Sequence, residues 1–298
     1  MTNNLLLTET SARWVDDIEI TDDLLLIKEI KKGFPVKFYA HKNVKLLELR
    51  KSNESLQHIS LLKSNLQKAV RLGLVDCAVM TSLALIEADP IQLIRRLPII
   101  SLEDKYGGYP ELHDHLATLL FMMSTEKGIP GYPQFLANFV TTICQQGYLP
   151  VGHQSTLPSL QVKESHIKNL KLRQAFGGMK GDMEMINWII EQQQTRPYTS
   201  SPPLKFWDSR TKKGLILRIL NQAVDFHNCP KILEVLGSKF PNITQSQIRS
   251  AIWLHSSSIR NDTEESTSLL DVWSIIKTEV GLFQSRYIQR LGYVNYYQ

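Results

Sequence analysis

From Leu56 onward the apolar residues fall at three- and four-residue steps, through Ile59, Leu62, Leu66, Ala69 and Val70. That period puts one apolar stripe on an α-helix, whereas a half-buried strand alternates every second residue. Gly73 marks the end of this helix. A second helix from about Leu74 to Glu87 follows after so short a turn that the two are predicted to pack antiparallel. Asp89-Pro90 supplies a cap acceptor and a first-turn proline, opening a third helix through about Leu102 with Pro98 inside it.

The same rhythm predicts helices at about 110–127, 133–146, 163–176, 182–194, 210–226, 230–240, 244–259 and 269–291, the last broken near Gly281. Thr244 and Gln247 have capping-box spacing at the start of one of them. The first forty residues differ in texture. The acidic pairs Asp16-Asp17 and Asp22-Asp23 flank a short alternating piece, and Val36-Lys37-Phe38-Tyr39 is β-prone. Gly33 and Pro35 read as the stop of a helix from about Asp23 to Lys32. The expected fold is all-α, an irregular multi-helix bundle with a small irregular N-terminal arm. The expected segments are an arm over 1–52, a helical subdomain over 53–150 and a second over 151–298, with Gly147 to Pro158 as the joining loop.

Apolar residues make up 43% of the 298 residues and charged residues 21%, which favours a folded chain over a disordered one. Mean hydropathy is −0.17 and no apolar run approaches the length of about 18 residues that a membrane span needs. Leu5-Leu6-Leu7 is too short for a secretory signal, and Cys77, Cys144 and Cys229 form no CxxC pair. An intracellular protein, cytoplasmic or nuclear, with no membrane partner and reduced cysteines is expected. The formal charge of +5 leans toward polyanionic partners.

Gly177-Gly178-Met179-Lys180-Gly181-Asp182 is the nearest approach to a phosphate-cradling loop, but it lacks the GxxxxGK[ST] spacing, and Asp182 would repel phosphate at the helix start. Glu103, Asp104, His113, Asp114 and His115 are the densest potential metal ligands, yet no pair has the i, i+4 spacing that puts two ligands on one helical face. Capping or salt bridging competes with that reading. No nucleophile frame surrounds Ser256-Ser257-Ser258. Basic residues gather at Lys163, Lys168, Lys171, Arg173 and Lys180, and again at Lys205, Arg210, Lys212, Lys213 and Arg218. Two such helices side by side would track phosphates, with Phe206, Trp207, Tyr293, Tyr296 or Tyr297 stacking on bases; solvated helix faces are the alternative. Arg95 and Arg96, with Glu103 and Asp104, read either as an ion-paired interface within the chain or between subunits, or as a partner site.

The order Leu66-Gln67-Lys68-Ala69-Val70-Arg71, Asp76-Cys77-Ala78, Asp89-Pro90, Leu93-Ile94-Arg95-Arg96-Leu97 and Glu103-Asp104 resembles the helical C-terminal collar of clamp-loader-like AAA+ ATPases of the replication-associated recombination and Werner-helicase-interacting group. The resemblance covers residues 66–104, and the ATPase core has no counterpart. It implies a collar-type module for self-association or docking on replication machinery, without ATP hydrolysis.

The expected function is therefore a non-enzymatic helical scaffold or oligomerisation protein. It would contact nucleic acid in replication, recombination or packaging of a genome, viral and mobile elements included. Lys163, Lys168, Lys171, Arg173, Lys180, Arg210, Lys212 and Lys213 would meet the nucleic acid, and Arg95, Arg96, Glu103 and Asp104 an interface. The expected partners are nucleic acid, a second copy or a replication protein, and no cofactor is expected. A metal-dependent nuclease or phosphohydrolase using Glu103, Asp104, His113 and His115 is one alternative. A purely protein-binding or shell-forming protein is the other.

Overall fold

The apolar run Leu5-Leu6-Leu7 is buried in the middle of a sheet. This is the first departure from an all-α chain. The computed structural model describes residues 3–50, 58–105, 112–145, 164–193, 207, 214–257 and 269–296, the side chains of residues 105, 112–114, 192, 193 and 296 excepted. In the N-terminal arm, β1 (Asn3–Leu7) lies between β2 (Ala12–Val15) and β4 (Val36–His41), and β3 (Leu24–Ile30) closes the other edge. β1 runs antiparallel to β2 and parallel to β4, with Leu5 opposite Phe38. The helix expected over 23–32 is thus strand β3. Gly33, at φ 76, turns the chain into an antiparallel hairpin with β4, so the residues that read as a helix stop make a hairpin turn instead.

Helices account for most of the remainder. They are α1 (Ile59–Arg71), α2 (Val75–Ala88), α3 (Pro90–Lys105), α4 (Leu112–Thr125), α5 (Tyr132–Gln145), α6 (Glu164–Ala175) and α7 (Lys180–Gln193). After them come α8 (Lys231–Lys239), α9 (Gln245–Ile252) with a π-helical turn at Trp253–Ser257, and α10 (Leu270–Arg290), which runs unbroken through Gly281. Two-residue strands β5 (Leu47–Glu48) and β6 (Lys127–Gly128) pair antiparallel. The helix expected over 210–226 is overturned where it is described. Arg218–Leu220 is strand β7, parallel to β8 (Val294–Tyr296), and a 3-10 turn follows at Asn221–Ala223. A strand partner more than seventy residues away leaves no local trace in the sequence.

The chain divides into two units, residues 1–54 with 86–207, and residues 55–85 with 208–298. The joining loop expected at Gly147–Pro158 lies outside the described residues.

In the first unit the sheet rests on α4. Phe38 and Phe121 meet edge to face with ring centres 6.1 Å apart, and the Ala12 amide donates to Thr118 Oγ1 at 3.0 Å. Lys28 Nζ donates to the Ser124 carbonyl. α6 is tied to the sheet by Trp14 Nε1 donating to Asn169 Oδ1 at 2.8 Å, and its Leu170 joins Ile99 and Leu102 of α3 and Ile186 and Ile189 of α7 in one core.

The second unit closes α1 and α2 onto the C-terminal segment. Asn65, with no exposed surface, donates from Nδ2 to Thr81 Oγ1 at 2.8 Å and to the Arg218 carbonyl at 2.9 Å, and accepts the Leu220 amide at 2.8 Å. α8, α9 and α10 share a core of Ile232, Leu233, Leu236, Ile248, Ala251, Ile252, Ile276 and Val280. The capping box read at Thr244 and Gln247 starts α9.

Asn65→Ala strips the side-chain partner from the buried Leu220 amide, a stranded group that costs about 1–3 kcal/mol, while the part-buried Arg218 carbonyl keeps the Cys77 thiol at 3.4 Å. Urea unfolding is expected to register a loss of about 1–3 kcal/mol. A loss under about 0.5 kcal/mol, the usual reach of surface substitutions, would mean that water replaces the side chain.

Candidate functional site

Of the basic residues on α6 and α7, Lys168 extends across the edge of the first unit. Its ammonium reaches Asp16 Oδ1 at 3.0 Å and Glu164 Oε1 at 3.1 Å. Burial works against that charge, but the two carboxylates outweigh it and hold the ammonium above its ordinary value. Asp16 belongs to the acidic pair that stood out in the sequence, so one member of each charge cluster pairs with the other. Lys171 is exposed, and Lys180, also exposed, pairs with Glu184 at 3.6 Å one turn on. Lys163, Arg210, Lys212 and Lys213 lie outside the described residues.

Arg173 is buried, and its Nη1 donates to the Gly177 carbonyl at 2.8 Å. Gly177, at φ 66, ends α6 in the left-handed conformation that glycine adopts most readily, and its amide returns to the Gln174 carbonyl at 2.8 Å. The Gly177–Met179 turn therefore closes one helix and leads into the next, with the Arg173 guanidinium against it.

Arg96 links this region to α3. Its guanidinium lies 3.7 Å from Glu103 Oε2 and 3.8 Å from Asp182 Oδ2, while Arg95 beside it is exposed. Asp104 is buried. Arg96 and Glu103 thus form an ion pair within the first unit, extended to α7. Burial pulls the Arg173 guanidinium below its ordinary value, Asp182 opposes that pull, and Arg95 and Arg96 add to it. Burial also pushes the Asp182 carboxyl above its usual range, with Glu103 adding to the push and Arg96 and Arg173 opposing it. Chemically this is a clasp joining α3, α6 and α7.

Of the residues considered as metal ligands, His115 sits edge-on to Phe135 with ring centres 6.1 Å apart, and the side chains of His113 and Asp114 fall outside the description. Among the described residues no group of three or more His, Cys, Asp or Glu is placed to hold a metal ion. Trp207 is buried, and Gln134 Nε2 donates to its carbonyl at 2.8 Å. Tyr293 is half-buried against His58, with ring centres 5.9 Å apart.

The second unit contains the features the sequence did not single out. On α1, Lys68 Nζ pairs with Asp225 Oδ2 at 3.3 Å, both side chains nearly buried. Asp225 Oδ1 also accepts the His227 amide at 2.9 Å and the Asn228 amide at 3.2 Å. Burial pushes the Asp225 carboxyl up, but Lys68, His227 and the Asn228 hydrogen bonds outweigh it and hold the group below its ordinary value. On the outer side of α8 and α10, Val235, Leu236, Glu279, Leu282, Phe283, Arg286, Gln289 and Arg290 line an open groove of about 600 Å³. The last six recur at helical spacing along α10, a signal present in the sequence.

Charge divides unevenly between the units. Lys and Arg number 20 in the first, matching its 20 Asp and Glu, whereas the second has 14 against 9, so the whole net charge of +5 belongs to the second. No described helix is long and apolar enough to cross a membrane. Compared with known proteins, the chain matches no family model, no curated protein and no solved structure.

Because the folded state raises the Asp182 carboxyl, ionising it costs stability. That cost is absent in acid, where the group is protonated folded or unfolded, and appears as pH rises through the folded value. Asp182→Asn is therefore expected to raise the urea midpoint at pH 7, a gain that vanishes as pH falls through about 4, the ordinary range of a carboxyl. A lowered midpoint at pH 7 would mean that attraction to Arg96 and Arg173 exceeds the burial cost.

Proposed function

We infer that the chain is a non-enzymatic helical scaffold protein that contacts nucleic acid through its second unit and assembles with copies of itself or with replication proteins. The carrying observation is the charge division: the first unit is balanced and the second holds the entire net +5. A locally cationic body gains affinity for a polyphosphate by releasing condensed counterions, whatever the base sequence. Within the second unit, Arg210, Lys212 and Lys213 put three cations into four consecutive positions, and Arg218 follows. The α6 cluster in the first unit gives weaker support to the same reading, since Lys168 already holds two carboxylates and Arg173 is buried. Lys171 remains exposed there. The collar-like order of residues 66–104 supports the assembly part.

Gel shift of the full chain with single- and double-stranded DNA and RNA across a salt series tests the nucleic-acid part. Binding is expected at low salt and is expected to weaken steeply as salt rises. Reversing Arg210, Lys212 and Lys213 to Glu is expected to lower the slope of log affinity against log salt by about three, roughly one per lost phosphate contact. Absence of retention at the lowest salt would refute nucleic-acid contact. Light scattering that gives a monomer at every concentration would refute self-association.

A further inference from the structure

The groove on α8 and α10 has a polarity that specifies its occupant. Its floor is apolar: Val235 is 49% exposed and Leu282 43%, with Leu236 and Phe283 beneath them. Side chains of this size left open to water on adjoining helices form a contiguous patch that a partner surface would cover. One end is electrically closed, because Glu279 is paired with Lys239. The other end carries Arg286 and Arg290 one turn apart, both exposed, and among the described residues neither has a carboxylate within ion-pair distance. The Arg290 guanidinium lies over the Tyr287 ring at 5.9 Å, and Tyr287 stacks on Phe283 at 6.4 Å, which steadies that arginine.

The lining residues Glu279, Leu282, Phe283, Arg286, Gln289 and Arg290 recur every three or four positions and cover one face of α10. From Glu279 to Arg290 that face is about 17 Å long, the length of roughly twelve helical residues. We propose that this groove docks an amphipathic helix of a partner protein, with its apolar stripe on Val235 and Leu282 and acidic residues on its flank facing Arg286 and Arg290.

Charge complementarity selects this occupant. A second copy docking the same face antiparallel would bring Arg286 and Arg290 to the Glu279 end, whose carboxylate Lys239 already holds, and a parallel copy would set the arginines against each other. Unpaired bases need open aromatic faces, whereas the floor is largely aliphatic and one face of Phe283 is taken by Tyr287. Helix-in-groove recognition uses an apolar stripe at three- and four-residue spacing, which the floor accepts, and charges at its edge set the partner's sign. The docking residues are on α8 and α10 and do not include Arg210, Lys212 or Lys213, on which the nucleic-acid reading is tested, so either reading can fail without the other.

The test uses the full-length chain and two labelled helical peptides of about sixteen residues, long enough to cover the groove with a turn to spare at each end. Both have leucine at i, i+3, i+4 and i+7; one has glutamate on its flanks and the other lysine. Fluorescence anisotropy is expected to show the glutamate peptide binding at least about tenfold more tightly than the lysine peptide. The double variant Arg286→Glu, Arg290→Glu is expected to reverse that preference, and Leu282→Asp to abolish binding of both, with circular dichroism unchanged because all three side chains are exposed. Equal binding of the two peptides, or no binding of either at about millimolar concentration, the weak limit of specific recognition, overturns the proposal. So does a double variant that binds the glutamate peptide as the native chain does. Displacement of the glutamate peptide by a single-stranded oligonucleotide, or self-association lost in Leu282→Asp, assigns the groove to another occupant and overturns it as well.

Discussion

Asn65 and Lys68, one helical turn apart on α1, close the second unit on itself. The first bonds to the backbone of β7 and the second to Asp225, across sequence separations of more than 150 residues. β7 and the turn at Asp225 are held to α1 by these contacts. Asp225 in turn caps the residues that lead into α8, and β7 gives β8 its partner. A buried ion pair such as Lys68–Asp225 contributes modestly to net stability, because both charges leave water, but breaking it strands a charge and is costly. Its value is in the register it enforces between α1 and the distant turn.

The two units use their charges differently. In the first, Lys168 engages Asp16 and Glu164, and Arg96 engages Glu103 and Asp182. These pairs join α6 to the sheet and α3 to α7, so they consume cations that would otherwise read as an anion-binding face. In the second, Lys68 and Lys239 are paired, yet the unit keeps an excess of five positive charges. Net charge by itself says little about fold, but its location sets where an anionic partner would approach.

Much of the helical layout was legible in the sequence, because amphipathic rhythm and caps are local signals. The Asp89 carboxylate accepts the Ile91 amide at 3.1 Å at the start of α3, and the Thr244–Gln247 box forms as its spacing required. The N-terminal sheet was not legible as a sheet. Leu24-Leu25-Leu26-Ile27 fits either period, and what decides it is the pairing of β3 with β4 together with that of β1 with β4. β7 was hidden for the same reason, since its strand partner among the described residues is the distant β8. Charge clusters were visible as compositions but not as pairings. Nothing in the run Lys163, Lys168, Lys171 announced that its second member would reach Asp16.

α10 connects the two properties of the second unit. Its inner face contributes Ile276 and Val280 to the core shared with α8 and α9, and further along Gln284 Nε2 donates to the buried Val224 carbonyl at 2.9 Å. That amide fixes the helix against the segment just after β7, whose own position depends on Asn65. The outer face, bearing Leu282, Arg286 and Arg290, is therefore presented by a helix whose rotation is already set. A docking surface built on a helix held in this way loses little conformational freedom when a partner arrives, so apolar burial and charge pairing there convert into affinity with a smaller ordering cost than a loop would incur.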